Sequence, residues 1–571
     1  MNLNFVNFLN MTLNPKKKLS ILLLISLIFG LIFFVSSCSS VGEKESALPV
    51  RSQGVEEPKP SDEKQDQAEQ KEKEKEFVYA LTSTRINFDS IHAFTALESQ
   101  VYTAIYEGLV TYNPLNLDPM PGAASHWDIT EDGKNYRFYL REEALYSNGD
   151  PVKAQDFKDS WLRMLDPKAN AEYSAFFDVI KGARAYRMGE TTDTDTIGIR
   201  AVSDRVLDVE LEAPAAHFLK VLCHMSFVPI YPKYHKDKDW EARSSIVGNG
   251  PFYIYEKNDQ EIVFLKNNLY WDKSRVRLDR LIMRFYSDPG EISIAYNRGL
   301  VHWASNWVTE SLQDRSKIVF NPLFATSFYF FKCLNPPWND FRVRRALALL
   351  IPWDQIRTDD IFYKTDRIVP EVPGYPEVKG ISKPNREEAF SLLSEAGYPE
   401  GKNLPPIIIR VPPGEDSEHI AGVMAAAWRE NMKADVIIDT VDYGSYFDSM
   451  KKEDYTIGRM TWIGDFADPL TFLQMWTGNS NLNDAKYKDP EYDRLIQEAI
   501  SKEGKARYER FSEAESIILT KAVVMPISNQ PTLNLIDFNY IRGWYPNALD
   551  IHPFKYLSFK EARLFPNLVM R

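Results

Sequence analysis

Along Tyr136–Arg141 apolar and polar positions alternate, with Tyr136, Phe138 and Leu140 on one side and Arg137, Tyr139 and Arg141 on the other. This period of two marks a half-buried strand, entered from a turn at Asp132-Gly133. Arg205–Leu211 alternates in the same way. Ile407–Ile409 and Val436–Ile438 are unbroken apolar triplets, which predicts short strands covered on both faces. Elsewhere the period is helical. Ala389, Leu392, Leu393 and Ala396 form one stripe, preceded by Asn385 as cap with Glu388 three residues on, and stopped by Gly397 and Pro399. Asp489-Pro490 opens a second helix in which Tyr492, Leu495, Ile496, Ala499 and Ile500 share a face. Phe157, Trp161, Met164 and Leu165 make a third stripe, closed by Asp166-Pro167. Stripes of this kind are core. The two kinds of signal interleave without a fixed repeat, so the chain reads as mixed α/β rather than a solenoid.

The amino terminus has a different pattern. Lys16, Lys17 and Lys18 precede an uncharged apolar run, Leu19–Val35, and small residues follow at Ser36, Ser37, Cys38, Ser39 and Ser40. A basic segment, an apolar segment and a small-residue exit form an export signal. The run is 17 residues long, at the lower edge of the roughly 17–25 that span a bilayer, so a retained membrane anchor is the alternative. Val-Ser-Ser-Cys resembles a bacterial lipobox, which implies cleavage before Cys38, a diacylglycerol on its thiol, and residues 1–38 as the signal region. Under both readings the remainder is exported. Residues 39–76 mix charge, Gln and Pro with almost nothing to bury. They read as a disordered tether of about 35 Å root-mean-square reach, and the folded body begins at Phe77.

Composition narrows the function. The chain has 571 residues, with 80 Asp and Glu against 68 Lys and Arg, a net charge of −12. A nucleic-acid binder needs a concentrated basic face, so no nucleic-acid partner is expected. Setting Cys38 aside leaves Cys223 and Cys333, both in apolar surroundings, which excludes a disulfide framework and a cysteine-rich zinc module. No G-x-S-x-G elbow, phosphate loop or H-E-x-x-H helix occurs. The eight His are scattered, each reading as a surface or hydrogen-bonded core residue. No metal, cofactor or catalytic activity is expected.

One ordered series of segments carries a family resemblance: Tyr106–Leu109, Pro121–Trp127, Tyr146–Pro151, Val247–Phe252, Asn268–Asp272, Asn339–Leu347, Glu387–Gly397, Gly464–Leu473 and Tyr487–Ile496. It resembles the extracytoplasmic solute-binding proteins of peptide ABC importers (family 5), closest to the oligopeptide-binding type, from about Phe88 to Phe559. The resemblance implies a periplasmic-binding-protein fold: two α/β lobes joined by a hinge, with an extra domain inserted in the first lobe. By analogy lobe I takes residues 77–107, 238–326 and 548–562, the extra domain 108–237 and lobe II 327–547, leaving 563–571 as a tail. It further implies a monomer that encloses a short peptide between the lobes and docks on a membrane permease.

The resemblance also points to residues. A carboxylate shortly after a Trp pairs with the ligand's α-ammonium in this family, and Thr461-Trp462-Ile463-Gly464-Asp465 puts Asp465 in that place. Read alone, an Asp beside a Gly is a loop carboxylate. Tyr173 matches a tyrosine near the peptide's amino end. Trp462 and Tyr443 match aromatics flanking side-chain pockets, and both would also suit a core. Arg459 and His419 match positions facing the ligand's carboxylate, with Asn306 a further candidate, although exposed basic residues are usually just solvated. The family's second-lobe cysteine bridge is absent, with Ile463 following Trp462. The acidic residue expected near Phe94 is missing, and so is a basic residue at Met450. The same fold binding another ligand (a dipeptide, haem, a nickel chelate, an oligosaccharide) and a surface adhesin or sensor remain alternatives.

Overall fold

The computed structural model describes residues 76–82, 85–358 and 363–560. The export signal, Cys38, almost all of the 39–76 tether and the 563–571 tail lie outside the described residues. Among the described residues, no helix is long and apolar enough to cross a membrane.

Local signals set the helices. The Asn385 side chain accepts from the main-chain N–H of Glu388 at the start of Arg386–Glu395. Asp489 accepts from Glu491 and Tyr492 at the start of Pro490–Ile500. Both carboxylate and amide caps satisfy N–H groups that have no partner within the helix. The third helix runs Ala154–Leu165, with Phe157, Trp161, Met164 and Leu165 fully buried.

Asn135–Leu140 and Val206–Glu210, the two alternating segments, lie side by side in a four-stranded antiparallel sheet. Its order is Ala124–Ile129, Asn135–Leu140, Val206–Glu210, Ile199–Ser203. Tyr136, Phe138 and Leu140 are buried as their alternation requires.

A second, eleven-stranded sheet organises the rest. One half holds Glu76–Thr82, between Arg280–Tyr286 and Trp303–Ala304, with Glu261–Lys266 and Phe252–Lys257 beyond. The other half holds Val436–Thr440, Ile407–Val411 and Ile457–Ile463. Two long antiparallel strands, Ile318–Phe331 and Val524–Ile536, run through both halves and join them. The chain leaves the first half after Thr82 and returns at Phe252, so the four-stranded sheet belongs to an insertion in the first lobe. The long strands change register between Pro322 and Thr326, where Pro322 lies opposite Pro531. Proline has no N–H to donate to a ladder, so neither residue of this pair donates a hydrogen bond to the sheet there.

One expectation is corrected. Ile407–Val411 is largely buried, but Ile437 is 47% exposed. Val436–Thr440 is the last strand of the sheet, so it has a neighbour on one side only. Cys333 is buried and Cys223 half-buried, and both are free thiols.

Candidate functional site

Strand Ile457–Ile463 pairs with Ala325–Phe331 of the first long strand and carries the site to its end. There the Gly464 N–H donates to the Phe324 carbonyl at 2.8 Å. A Cβ on Gly464 would stand 2.7 Å from the Phe324 ring, so the turn out of the strand needs glycine at this close approach. The next residue is Asp465. Thr471 holds it on two sides: the threonine hydroxyl accepts from the Asp465 N–H and donates to its Oδ2, both at 2.9 Å. Below the loop, Asp468 forms two hydrogen bonds with the Arg507 guanidinium at 2.6 and 2.8 Å, both residues buried.

The inserted domain meets this loop from the opposite side. The Tyr173 hydroxyl lies 2.9 Å from Asp465 Oδ1 and 3.2 Å from the Phe94 carbonyl. The Tyr112 hydroxyl donates to the Asp465 carbonyl at 2.9 Å. His224 Nε2 lies 3.7 Å from Oδ1. The Ser226 N–H donates to His224 Nδ1 at 3.3 Å, which leaves the imidazole proton on Nε2. Burial pushes the His224 pKa down to about 3, so the ring is neutral.

Asp465 is therefore a carboxylate with an 8% exposed side chain, held by the Thr471 and Tyr173 hydroxyls, with a neutral imidazole beyond hydrogen-bond reach. Among the described residues no lysine or arginine forms an ion pair with it. Burial drives its pKa up to about 7, against the opposing hydrogen bonds from Thr471 and Tyr173.

This carboxylate lines a cavity of about 200 Å³ between the lobes. Phe94, Phe447, Trp462 and Leu482 supply apolar wall, and Glu172, Asp484 and Lys451 supply charge. The Phe94 and Phe447 rings meet edge to face at 5.6 Å. Lys451 of the second lobe forms an ion pair with Glu172 of the insertion. Further contacts cross the same gap: Arg187 to the Asn479 carbonyl at 3.0 Å, Asn481 to the Ala171 carbonyl at 2.7 Å, and Lys220 to the Ala467 carbonyl at 3.2 Å.

Of the residues singled out in the sequence, the structure brings Asp465, Tyr173 and Trp462 together at the cavity. It does not bring the others. Tyr443 is 66% exposed at the first turn of Tyr443–Met450, with its ring in solvent. His419 is exposed on the helix Glu415–Met432, and Asn306 is exposed in the loop after Trp303–Ala304. Arg459 lies on the site strand but does not line the cavity; its Nε is buried without a hydrogen-bond partner among the described residues. His224, Phe447 and Asp484 line the cavity and Thr471 holds Asp465, and none of the four has a local sequence signal that marks it as a site residue. Glu172 and Lys451 adjoin Tyr173 and Met450 in sequence, and only their meeting in space marks them. Among the described residues, no group of three or more His, Cys, Asp or Glu side chains is placed to hold a metal ion.

Two α/β lobes joined by paired strands, with a desolvated carboxylate in the gap, define a ligand-enclosing binding protein. The chain belongs to the bacterial extracellular solute-binding proteins, family 5, whose model matches residues 118–484. Members of this family are binding proteins rather than enzymes. The chain is 30% identical to the oligopeptide-binding protein OppA of Bacillus subtilis over 445 residues, 74% of this chain and 81% of that one. It is 29% identical to the dipeptide-binding protein DppE of the same organism over 500 residues, 83% of this chain and 89% of that one. Its fold is similar to the Escherichia coli murein tripeptide binding protein MppA, with a TM-score of 0.77 at 27% identity over 85% of this chain and 99% of that one. Against MppA in its unliganded open form the score is 0.60, at 26% identity over 86% and 98%.

Proposed function

We propose that this chain is the peptide-capturing subunit of an ABC importer, anchored outside the cytoplasmic membrane by lipid on Cys38, acting as a monomer and delivering short peptides to a permease. Peptides share only an amine, a backbone and a carboxylate, so these must supply most of the affinity for mixed sequences. Asp465 takes the α-ammonium. The observation that carries this reading is a buried carboxylate, facing an interlobe cavity, whose partners are all neutral. A charge pair removed from water is favourable only when both members are present, and lacking one partner costs about 3–5 kcal/mol. Tyr173 orients the carboxylate, and Trp462 walls the space for a side chain. Arg459 is the candidate for the peptide's carboxylate by resemblance alone, since it lies outside the cavity lining; the exposure of His419, Asn306 and Tyr443 lends no support to ligand roles. The lobe boundaries inferred by resemblance, with 108–237 as the insertion and 327–547 as the second lobe, belong to the same proposal.

Native mass spectrometry of the purified protein should find co-purified peptides. Calorimetry after their removal should show binding of free-amine tri- to pentapeptides and loss of binding on N-acetylation. Equal affinity for acetylated and free peptides would overturn the anchor. For the lipid, Cys38→Ala should move the protein from the membrane fraction to the soluble exported fraction.

A further inference from the structure

The cavity beside Asp465 contains more negative charge than a peptide's amino end can neutralise. Glu172, Asp465 and Asp484 line it, against the single cation Lys451, and Lys451 is engaged by Glu172. Two carboxylates are left without a cation. Asp465 has its hydroxyl donors, whereas among the described residues no hydrogen bond or ion pair reaches the Asp484 carboxylate. Two of the nearby cations, Lys451 and Lys332, are engaged elsewhere. Lys332, behind the wall, donates to the main-chain carbonyls of Met450 and Asp484 at 2.9 and 2.6 Å, and sits over the Tyr455 ring at 4.8 Å. Burial raises the Asp484 pKa to about 6, with the Glu172 charge adding to the rise, against the opposing fields of Lys332, Lys486 and Lys451.

The rest of the wall suits a long side chain with a charged end. Phe94, Phe447, Trp462 and Leu482 present carbon to methylenes, and aromatic faces favour a nearby cation. At about 200 Å³ the space is below the roughly 300–1,000 Å³ of sites that enclose whole small ligands, so it accommodates the end of a peptide.

We propose that Asp484 makes this site select peptides with a cationic side chain, an amine or guanidinium, on the first or second residue. The proposal rests on the reading that Asp465 takes the α-ammonium: one cation answers each carboxylate, and the aliphatic stem lies along the aromatic wall between them.

Calorimetry on the full chain tests it with matched tripeptides, lysine against norleucine at position one and at position two of an otherwise all-alanine sequence. A hydrogen-bonded ion pair in a desolvated site predicts a lysine preference of roughly tenfold to hundredfold at one of these positions. In Asp484→Asn the ratio should collapse to near one. Asp484→Ser repeats the comparison with a different shape, and thermal melting checks that each variant is folded. Norleucine peptides binding as well as lysine peptides, or a preference that survives both substitutions, would overturn the role of Asp484 and leave Asp465 untouched. Failure of every free-amine peptide to bind the wild type would overturn the reading of Asp465, and this proposal with it.

Discussion

The Tyr173 hydroxyl of the insertion reaches Asp465 Oδ1 of the second lobe at 2.9 Å, across 292 positions of sequence. The bond is one of several that join the two bodies besides the paired strands. Tyr173 also stands 3.2 Å from the Phe94 carbonyl, so one hydroxyl links three parts of the chain. Tyr173→Phe removes a donor to a charged acceptor, and peptide affinity should fall by about tenfold, the equivalent of about 1.4 kcal/mol. The same change should move the acid side of the binding profile to higher pH, because that hydrogen bond favours the ionised carboxylate. Calorimetry at several pH values reads both effects.

The pH dependence has a definite sign. The Asp465 pKa is raised from 3.8 to about 7 by burial. An α-ammonium needs the ionised form, so peptide affinity should fall as pH drops below about 7 and the empty site takes up a proton. Above roughly pH 8 the ligand amine deprotonates, which closes the profile on the alkaline side. Stability runs the other way. A group whose pKa is raised on folding contributes stability that is complete below its unfolded value and is lost as pH rises through the folded value. At pH 8 the empty wild type therefore bears the cost of an uncompensated buried charge, on the order of 4 kcal/mol as an upper figure. Asp465→Asn should melt higher than wild type at pH 8 without ligand, show a smaller difference at pH 6, and bind free-amine peptides at least 100-fold more weakly. An Asn variant that melted lower at pH 8 would contradict the burial argument.

How much of this was legible in the sequence depends on distance along the chain. The caps at Asn385 and Asp489, the stripe of Phe157 and Trp161, and the alternation from Tyr136 to Leu140 are set by neighbours a few residues away, and the structure forms each one. Ile437 departs because an edge position depends on strand order, which a local pattern does not contain. Of the residues that motif resemblance points to, Asp465, Tyr173 and Trp462 line the interlobe cavity, while Tyr443 and His419 match by position along the chain and are exposed. A helix residue faces one direction in every hundred degrees of turn, so a matched position does not fix a matched orientation. His224, Asp484 and the Glu172–Lys451 pair had no local signature, since each acquires its meaning from a side chain supplied by another element.

The Glu172–Lys451 pair bridges the gap, and its contribution should be kinetic. The Lys451 side chain is 49% exposed, and an ion pair that wet is worth at most about 1 kcal/mol. Lys451→Gln should leave the fold intact and raise the peptide off-rate by roughly two- to fivefold, with the on-rate little changed. Stopped-flow fluorescence reads the rate, and the effect should shrink at high salt.

The loop that presents Asp465 is anchored by a pair with the opposite environment. The Asp468 and Arg507 side chains are 9% and 8% exposed and are joined by two short hydrogen bonds. The Arg507 charge holds the Asp468 pKa below its ordinary value despite burial. Arg507→Met would leave a carboxylate desolvated without its cation, and should destabilise the protein by about 3–5 kcal/mol in urea unfolding. The buried His217 ring stands in the field of both groups, with its pKa lowered to about 4 chiefly by burial, so it would not replace the missing charge at neutral pH. Removing the second charge as well, in Asp468→Asn with Arg507→Met, should recover much of the loss, because what destabilises the single variant is the stranded carboxylate. The double variant separates stability from binding. With the loop still closed on Thr471 but its lower support neutral, peptide affinity should stay below wild type even where the melting temperature recovers.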